Sequence, residues 1–309
     1  MKLETRLTPR ILVVGSVNMD IVARVDRVPA AGENVRGSDL RTIPGGKGAN
    51  QAVACARLGA ETVFLGRVGD DAFGEHLRQR LAEAGVWTDA VKTVAGCASG
   101  IALILVDATG QNTIVVTPGA NSRLAPADVD AARALFEAAD AVVLQLEIPP
   151  ETVARAIRLG RETGKPTILD AGPPQRPADP AVFECTVLTP NEAEAAALLD
   201  IPAGSMGPEA MARELLARGP KAVVIKAGSQ GAIVAERGRL VRVPAFKIDS
   251  VDTTAAGDAF TAALTMEFIK GTDLAEASRV ANAAGALACL KLGAQPSMPT
   301  ADELAAFLA

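Results

Sequence analysis

Two short stretches carry residue types able to hold an anion and move a proton beside it. Asp252-Thr-Thr-Ala-Ala-Gly-Asp258 stands directly before Ala259-Phe-Thr-Ala-Ala-Leu264, a run of good helix formers. Ala255, Ala256, Gly257 and Asp258 therefore fall at a helix N-terminus, where free backbone N–H groups and the helix dipole attract negative charge. Asp258 beside such a cradle could take a hydroxyl proton while the N–H groups hold a developing phosphoryl charge. The plainer alternative is that Asp258 only favours the first helical turn. Pro44-Gly-Gly-Lys-Gly-Ala-Asn50 also opens a predicted helix. Its glycines let backbone N–H groups approach an oxygen-rich ligand, and Lys47 and Asn50 add a charge and a two-sided amide. It is neither a Walker A sequence nor GxGxxG, and a flexible helix entry fits the bare glycine pattern equally well.

The elements that must position these residues alternate regularly. Ile11–Val14, Thr62–Leu65, Ala141–Leu144, Thr167–Leu169, Cys185–Leu188 and Ala222–Ile225 read as buried strands. Between them, Gly48–Leu58, Gly74–Ala84, Pro126–Ala138, Glu151–Thr163 and Glu209–Arg218 read as helices. This rhythm predicts an α/β fold, a mostly parallel sheet covered by helices on both faces. Ligands of such sheets bind beyond the carboxyl ends of the strands. Here those ends run into Asn18 and Asp20, Gln145 and Glu147, Asp170, Asn191 and Glu194, and Lys226-Ala-Gly-Ser-Gln-Gly231. So many polar ends on one edge point to a ligand site. Individually they stay ambiguous: Gly228–Gly231 is a tight turn or a phosphate-approach loop, and Asn191 with Glu194 is a capping box or a contact to phosphate or magnesium-bound water.

Two regions break the rhythm. Asp20–Thr42 alternates polar and apolar residues, and Ser99–Thr117 reads as a hairpin turning at Asp107–Gly110. These predict a small separate sheet, a lid with strands inserted at about 18–44 and 98–118 of a single domain spanning 1–309, with an edge or face free to pair with another chain.

Composition excludes several classes. A net charge of −5 without a basic block, and only 3% aromatic residues with no Tyr, argue against a nucleic-acid partner. The single histidine, His76, sits in a charged helix-like stretch and removes His-based zinc sites; it receives no role. Cys55, Cys97, Cys185 and Cys289 form no CxxC and read as reduced thiols. The first apolar run is too short for a secretion signal or a membrane span, so a soluble cytoplasmic protein is expected.

The motifs together resemble the PfkB carbohydrate kinase family in its ribokinase form, along nearly the whole chain. The resemblance rests on Gly15-Ser-Val-Asn-Met-Asp20, Pro44-Gly-Gly-Lys-Gly-Ala-Asn-Gln-Ala-Val53 and Asp252–Asp258. Thr117-Pro-Gly-Ala-Asn121, Gln145-Leu-Glu147, Thr189-Pro-Asn-Glu192 and Gly293-Ala-Gln-Pro-Ser297 follow in the family's order. It implies a three-layer α/β/α fold with a small lid, and ATP-dependent phosphorylation of D-ribose at O5. By the same resemblance, Asn18, Asp20, Gly46, Lys47, Asn50 and Glu147 bind the ribose hydroxyls, with Asp258 as general base nearest O5. Ala255, Ala256 and Gly257 supply the anion hole. Asn191, Lys226, Gly228, Ser229, Gly231, Gly257 and Asn282 line the ATP site, and Glu194 organises magnesium through water. A monovalent cation, usually potassium, is implied at Asp252, Thr254, Ala288, Lys291, Gly293 and Ser297, and a homodimer through the lid.

Two positions depart from the family's pattern: Lys226 stands where threonine is usual, and Asp170-Ala-Gly replaces Asn-Pro-Ala. The first bears on the ATP contacts and the second on the far wall of the sugar pocket. Alternatives are the same transfer to 2-deoxyribose, fructose or another sugar, and a non-catalytic sugar- or nucleotide-binding regulator. The intact Asp258 with its Ala-Ala-Gly cradle speaks against the regulator. A dinucleotide oxidoreductase is excluded because Gly15–Asp20 lacks GxGxxG.

Overall fold

In the strand Arg10–Val14, Ile11 and Val13 join one apolar layer while Leu12 and Val14 join another, all at most 1% exposed. The same division separates Ala141 and Val143 from Val142 and Leu144, and Ala222 and Val224 from Val223 and Ile225. Strands apolar on both faces must be covered on both. The computed structural model, which describes residues 8–174 and 179–309, accordingly has three layers. Helices Lys47–Arg57, Ala256–Ile269 and Leu274–Ala288 cover one face. Helices Pro150–Glu162, Glu192–Leu199 and Pro208–Ala217 cover the other.

The main sheet runs Arg239–Val243, Ala232–Glu236, Ala222–Lys226, Val187–Leu188, Thr167–Asp170, Ala141–Gln145, Arg10–Val14, Glu61–Gly69, Val86–Trp87. From Ala222–Lys226 to Val86–Trp87 every neighbour is parallel; Ala232–Glu236 and Arg239–Val243 close one edge as an antiparallel ribbon. The predicted parallel α/β architecture is therefore observed. Buried alanines such as Ala259, Ala262, Ala277, Ala281 and Ala284 let the covering helices approach closely, so this core needs few aromatic rings.

The second sheet is separate, in the order Gly37–Gly45, Asn18–Val25, Gly100–Val106, Asn112–Thr117. Its hairpin turns where the sequence predicts, with Asp107 Oδ1 accepting from the N–H groups of Thr109 and Gln111. Every residue of Asn112–Thr117 is exposed, including Ile114, Val115 and Val116.

Some boundaries differ from expectation. The Pro126–Ala138 helix breaks into Pro126–Ala131 and Arg133–Ala138, because Ala132 takes φ −91° and ψ 10° between them. The strand expected from Cys185 reduces to Val187–Leu188. His76 is exposed, the four cysteines are free, and no described helix is long and apolar enough to cross a membrane. Residues 1–7 of the charged N-terminal stretch lie outside the described residues.

Candidate active site

The Ala256–Ile269 helix starts at the carboxyl edge of the sheet, and Ala255 caps it in the left-handed region at φ 61°. A non-glycine residue held there stores strain, as site residues often do. Among the described residues no acceptor takes the N–H of Ala255 or Gly257, whereas that of Ala256 makes a long 3.3 Å bond to the Thr253 carbonyl. Asp258, 4% exposed, follows in the first turn. Gln51 Nε2 donates to its Oδ1 at 2.9 Å, Asn50 Nδ2 donates to its Oδ2 at 3.0 Å, and Lys47 Nζ lies 4.0 Å away. Burial pushes the Asp258 carboxyl up to about 6; Lys47 opposes this, the charge of Asp170 adds to it, and the two amides oppose it.

The glycine-rich stretch brings its residues in by a sharp approach. Gly46 has φ 87°, and a Cβ there would lie 2.8 Å from the Asn18 nitrogen and 2.9 Å from Val17 Cα, so only glycine fits. The next residue opens the Lys47–Arg57 helix, and its N–H donates to Glu147 Oε2 at 3.0 Å. Ser16 Oγ donates to the same oxygen. Asn18 Oδ1 accepts from Asn121 Nδ2 at 2.7 Å, and Asn121 also bonds both backbone groups of Val17. Asp20 is pushed up to about 7, first by burial and then by the charges of Glu147 and Asp258. Asn50 Oδ1 is buried and has no hydrogen-bond partner among the described residues. A buried orphan acceptor is costly unless a ligand supplies the donor.

On the other side of Asp258, a cavity of about 470 Å³ is lined by Lys226, Gly228, Ser229, Gly231, Gly257 and Asn282. These are all the residues expected at a nucleotide except Asn191, which pairs with Lys226 as an isolated parallel bridge and caps the Glu192–Leu199 helix. Asn282 Nδ2 donates to the Pro244 carbonyl at 3.0 Å. The capping box anticipated from Asn191 and Glu194 is formed, through Asn191 Oδ1 and Glu194 Oε2 at 2.8 Å each. The two departures from the family pattern meet here: Lys226 Nζ lies 3.1 Å from Oδ1 of the fully buried Asp170.

A third group ties two loops together. Asp252 Oδ1 accepts from the N–H and hydroxyl of Thr254, and its Oδ2 accepts from the Gly293 N–H at 2.9 Å. Burial raises its pKa, but these bonds outweigh it and hold the carboxyl below its usual value. Ala288 and Ser297 lie on either side of Gly293, and Ser297 Oγ donates to the Ala294 carbonyl at 2.7 Å. The Lys291 ammonium turns away to Glu303 at 2.6 Å. Of Lys291, only backbone groups remain to face an ion. Asp252, Thr254 and Gly293 share a second cavity of about 330 Å³ with Asp20, under the small sheet.

Gln51 is not among the site residues that sequence reasoning selects, and Asp170 appears there only as a polar strand end and a departure at the far pocket wall, yet both touch the centre. Gln51 Nε2 donates to Asp258 and, at 3.0 Å, to Asp170 Oδ2, while its Oε1 accepts from Gln145 Nε2 at 2.6 Å. The available signal was a glutamine inside an otherwise apolar, alanine-rich helical run, directly after the motif.

The sequence model described as pfkB family carbohydrate kinase matches residues 8–301. Ribokinase of Bacillus subtilis is 41% identical over 294 residues, covering 95% of this chain and 97% of that protein. Deoxyribokinase of Salmonella typhi is 34% identical over 300 residues, covering 96% and 98%. The structure of Arabidopsis thaliana ribokinase complexed with ribose and ATP superposes with a TM-score of 0.89 at 32% identity, covering 98% of this chain and 99% of that one. With a family model matched along residues 8–301 and a ribokinase 41% identical over 95% of it, the chain belongs to the pfkB family of carbohydrate kinases.

Proposed function

We propose that the protein is a ribokinase, transferring the terminal phosphoryl group of ATP to O5 of D-ribose. The observation that carries this reading is Asp258, buried between an amide-lined polar pocket and a helix N-terminus that faces the glycine-lined cavity. The similarity to ribokinases of bacteria and a plant supports the substrate.

In this reading Asn18, Asp20, Gly46, Lys47, Asn50 and Glu147 bind the sugar, and the orphan Oδ1 of Asn50 accepts from a ribose hydroxyl. Asp258, ionised above about pH 6, accepts the proton of the attacking hydroxyl. The N–H groups of Ala255 and Gly257, helped by Ala256, take up charge on the phosphoryl group in flight. Asn191, Lys226, Gly228, Ser229, Gly231 and Asn282 hold the nucleotide. Such transfers pass through a loose transition state, so positioning and charge neutralisation suffice and no histidine is required.

Magnesium, when bound with the nucleotide, would supply charge neutralisation at its phosphates. Glu194 suits a metal-bound water, since it is 5% exposed and only Oε2 is used in the helix cap. Asp252, kept ionised, draws Thr254 and Gly293 together, and with carbonyls of Ala288, Lys291 and Ser297 this oxygen-rich loop pair suits potassium. The small sheet, which carries Asp20 on its Asn18–Val25 strand, serves as a lid over the sugar pocket and as the surface of a homodimer, a reading supported by the exposed Asn112–Thr117 strand. Four free thiols support a cytoplasmic location.

The test is an ADP-release assay with MgATP and potassium on ribose, 2-deoxyribose, fructose, adenosine and a sugar-free blank. Fastest turnover with ribose is the expected outcome. Because a deoxyribokinase stands among the relatives, 2-deoxyribose is the arm that matters most. Each pocket group it leaves unpaired costs about 1–3 kcal/mol. Preference for 2-deoxyribose overturns the ribose assignment, and silence on every sugar favours the regulator.

A further inference from the structure

Lys226 ends its strand inside the molecule. Its side chain is 11% exposed, with Nζ 3.1 Å from Asp170 Oδ1 and 4.0 Å from Glu194 Oε2. The same nitrogen lies 3.4 Å from where a Cβ on Gly257 would stand. One side of the ammonium is therefore held by carboxylates while another reaches the helix N-terminus and the adjoining cavity. Asp170 is wholly buried; besides Lys226 it meets Lys47 Nζ at 3.8 Å. Its Oδ2 accepts from Gln51 Nε2, the donor that also serves Asp258. A continuous line of contacts thus runs Lys226, Asp170, Gln51, Asp258, from the nucleotide side to the sugar side.

Charge explains why Lys226 and Asp170 occur together. Either one alone, in place of the family's threonine or asparagine, would bury a charge without its nearest partner, leaving Asp170 only Lys47 at 3.8 Å and Lys226 only Glu194 at 4.0 Å. Their contact still leaves ammonium donors over, since Lys carries three.

We propose that Lys226 binds the terminal phosphate of the nucleotide beside the Gly257 N–H, and that Asp170 is the positioning residue that holds it there and links it through Gln51 to Asp258. This rests on the kinase reading above. A cation already fixed at the point where phosphoryl charge develops needs no reorganisation during transfer. Asp170 keeps it fixed, and the shared Gln51 keeps the acceptor aspartate in register with it.

A double-mutant cycle on the full-length protein tests this, with Lys226→Thr, Asp170→Asn and the pair combined. The readouts are the affinity for magnesium-bound AMP-PNP, a non-hydrolysable ATP analogue that keeps the terminal phosphate, by titration calorimetry without sugar, kcat and KM for ATP and for ribose, and the thermal midpoint. Lys226→Thr is expected to weaken binding of the magnesium-bound analogue and lower kcat/KM for ATP by roughly tenfold or more, with the ribose KM unchanged. Asp170→Asn should act in the same direction, and the combined variant should lose far less than the product of the two losses. Unchanged affinity for the magnesium-bound analogue in a folded Lys226→Thr protein overturns the proposal. So do multiplicative losses in the cycle, or losses confined to the thermal midpoint. If Asp170→Asn alone does not fold, the Lys226→Thr titration decides. If Lys226→Thr weakens analogue binding while the wild-type protein leaves ribose untouched, the ribose assignment is overturned and this one is supported. A ribose kinase indifferent to Lys226→Thr does the reverse.

Discussion

Asn50 Nδ2 donates to Oδ2 of Asp258 across 3.0 Å, fixing together two residues 208 positions apart in the chain. The amide comes from the helix that follows the first glycine-rich motif, and the acid from the helix that ends the second. The bond orients the carboxylate and commits only one end of the amide. The other end, Oδ1, is left for a ligand.

Asp258→Asn removes the proposed proton acceptor without changing its size. Phosphoryl transfer should fall by roughly 10²–10⁴-fold while ribose affinity is largely kept. Single-turnover kinetics beside a ribose titration read the two effects separately, and near-wild-type transfer would sink the general-base role.

Asp258 also sets a pH dependence. Its raised pKa of about 6 means that the acceptor is lost as pH falls through that value, so kcat should decline on the acid side near pH 6 and level off above it. Gln51→Leu deletes a hydrogen bond that favours the charged form, so the acid limb should move to higher pH. A pH–rate profile of both proteins checks the sign; a limb that stays or moves down contradicts it.

Asp252→Ala severs the bonds to Thr254 and to Gly293. Wild-type activity should drop after exhaustive removal of potassium and ammonium and return when potassium is added. The variant should be slow and indifferent to the addition. Full wild-type activity without either ion would count against the cation site.

Gly46→Ala forces a side chain into the left-handed region and against the backbone of Val17 and Asn18. The strain is on the order of 1–3 kcal/mol. Much of it should appear as a higher ribose KM, because Asn18 is displaced, with the ATP KM little changed. Equal rises in both would argue that the approach of Gly46 does not shape the sugar pocket.

Val115 is 57% exposed on the outer strand of the small sheet. If that face joins two copies, Val115→Asp should convert a dimer to a monomer in light scattering coupled to gel filtration. A wild-type monomer would refute the pairing.

Much of this protein was legible in its residues alone. Buried strands, covering helices and the break in rhythm at the small sheet follow from apolar periodicity, a local property that survives without knowledge of neighbours. The motif glycines and the start of the helix after Asp252 are equally local, since backbone conformation and free N–H groups depend on a few adjacent residues. Helix ends were less legible, as at Ala132, because alanine-rich sequence carries no stop signal and packing chose the break. What only the tertiary structure decided is which polar groups share one buried space. Gln51 could have faced solvent, and Lys226 could have stood alone toward phosphate; instead one joins Asp258 to Asp170 and the other is held by Asp170. Such partners are set by the parallel register that brings the ends of distant strands to one edge. There burial raises both carboxyls, and their neighbours decide the outcome: the charges of Lys226 and Lys47 carry Asp170 below its ordinary value, while Asp258 stays above its own.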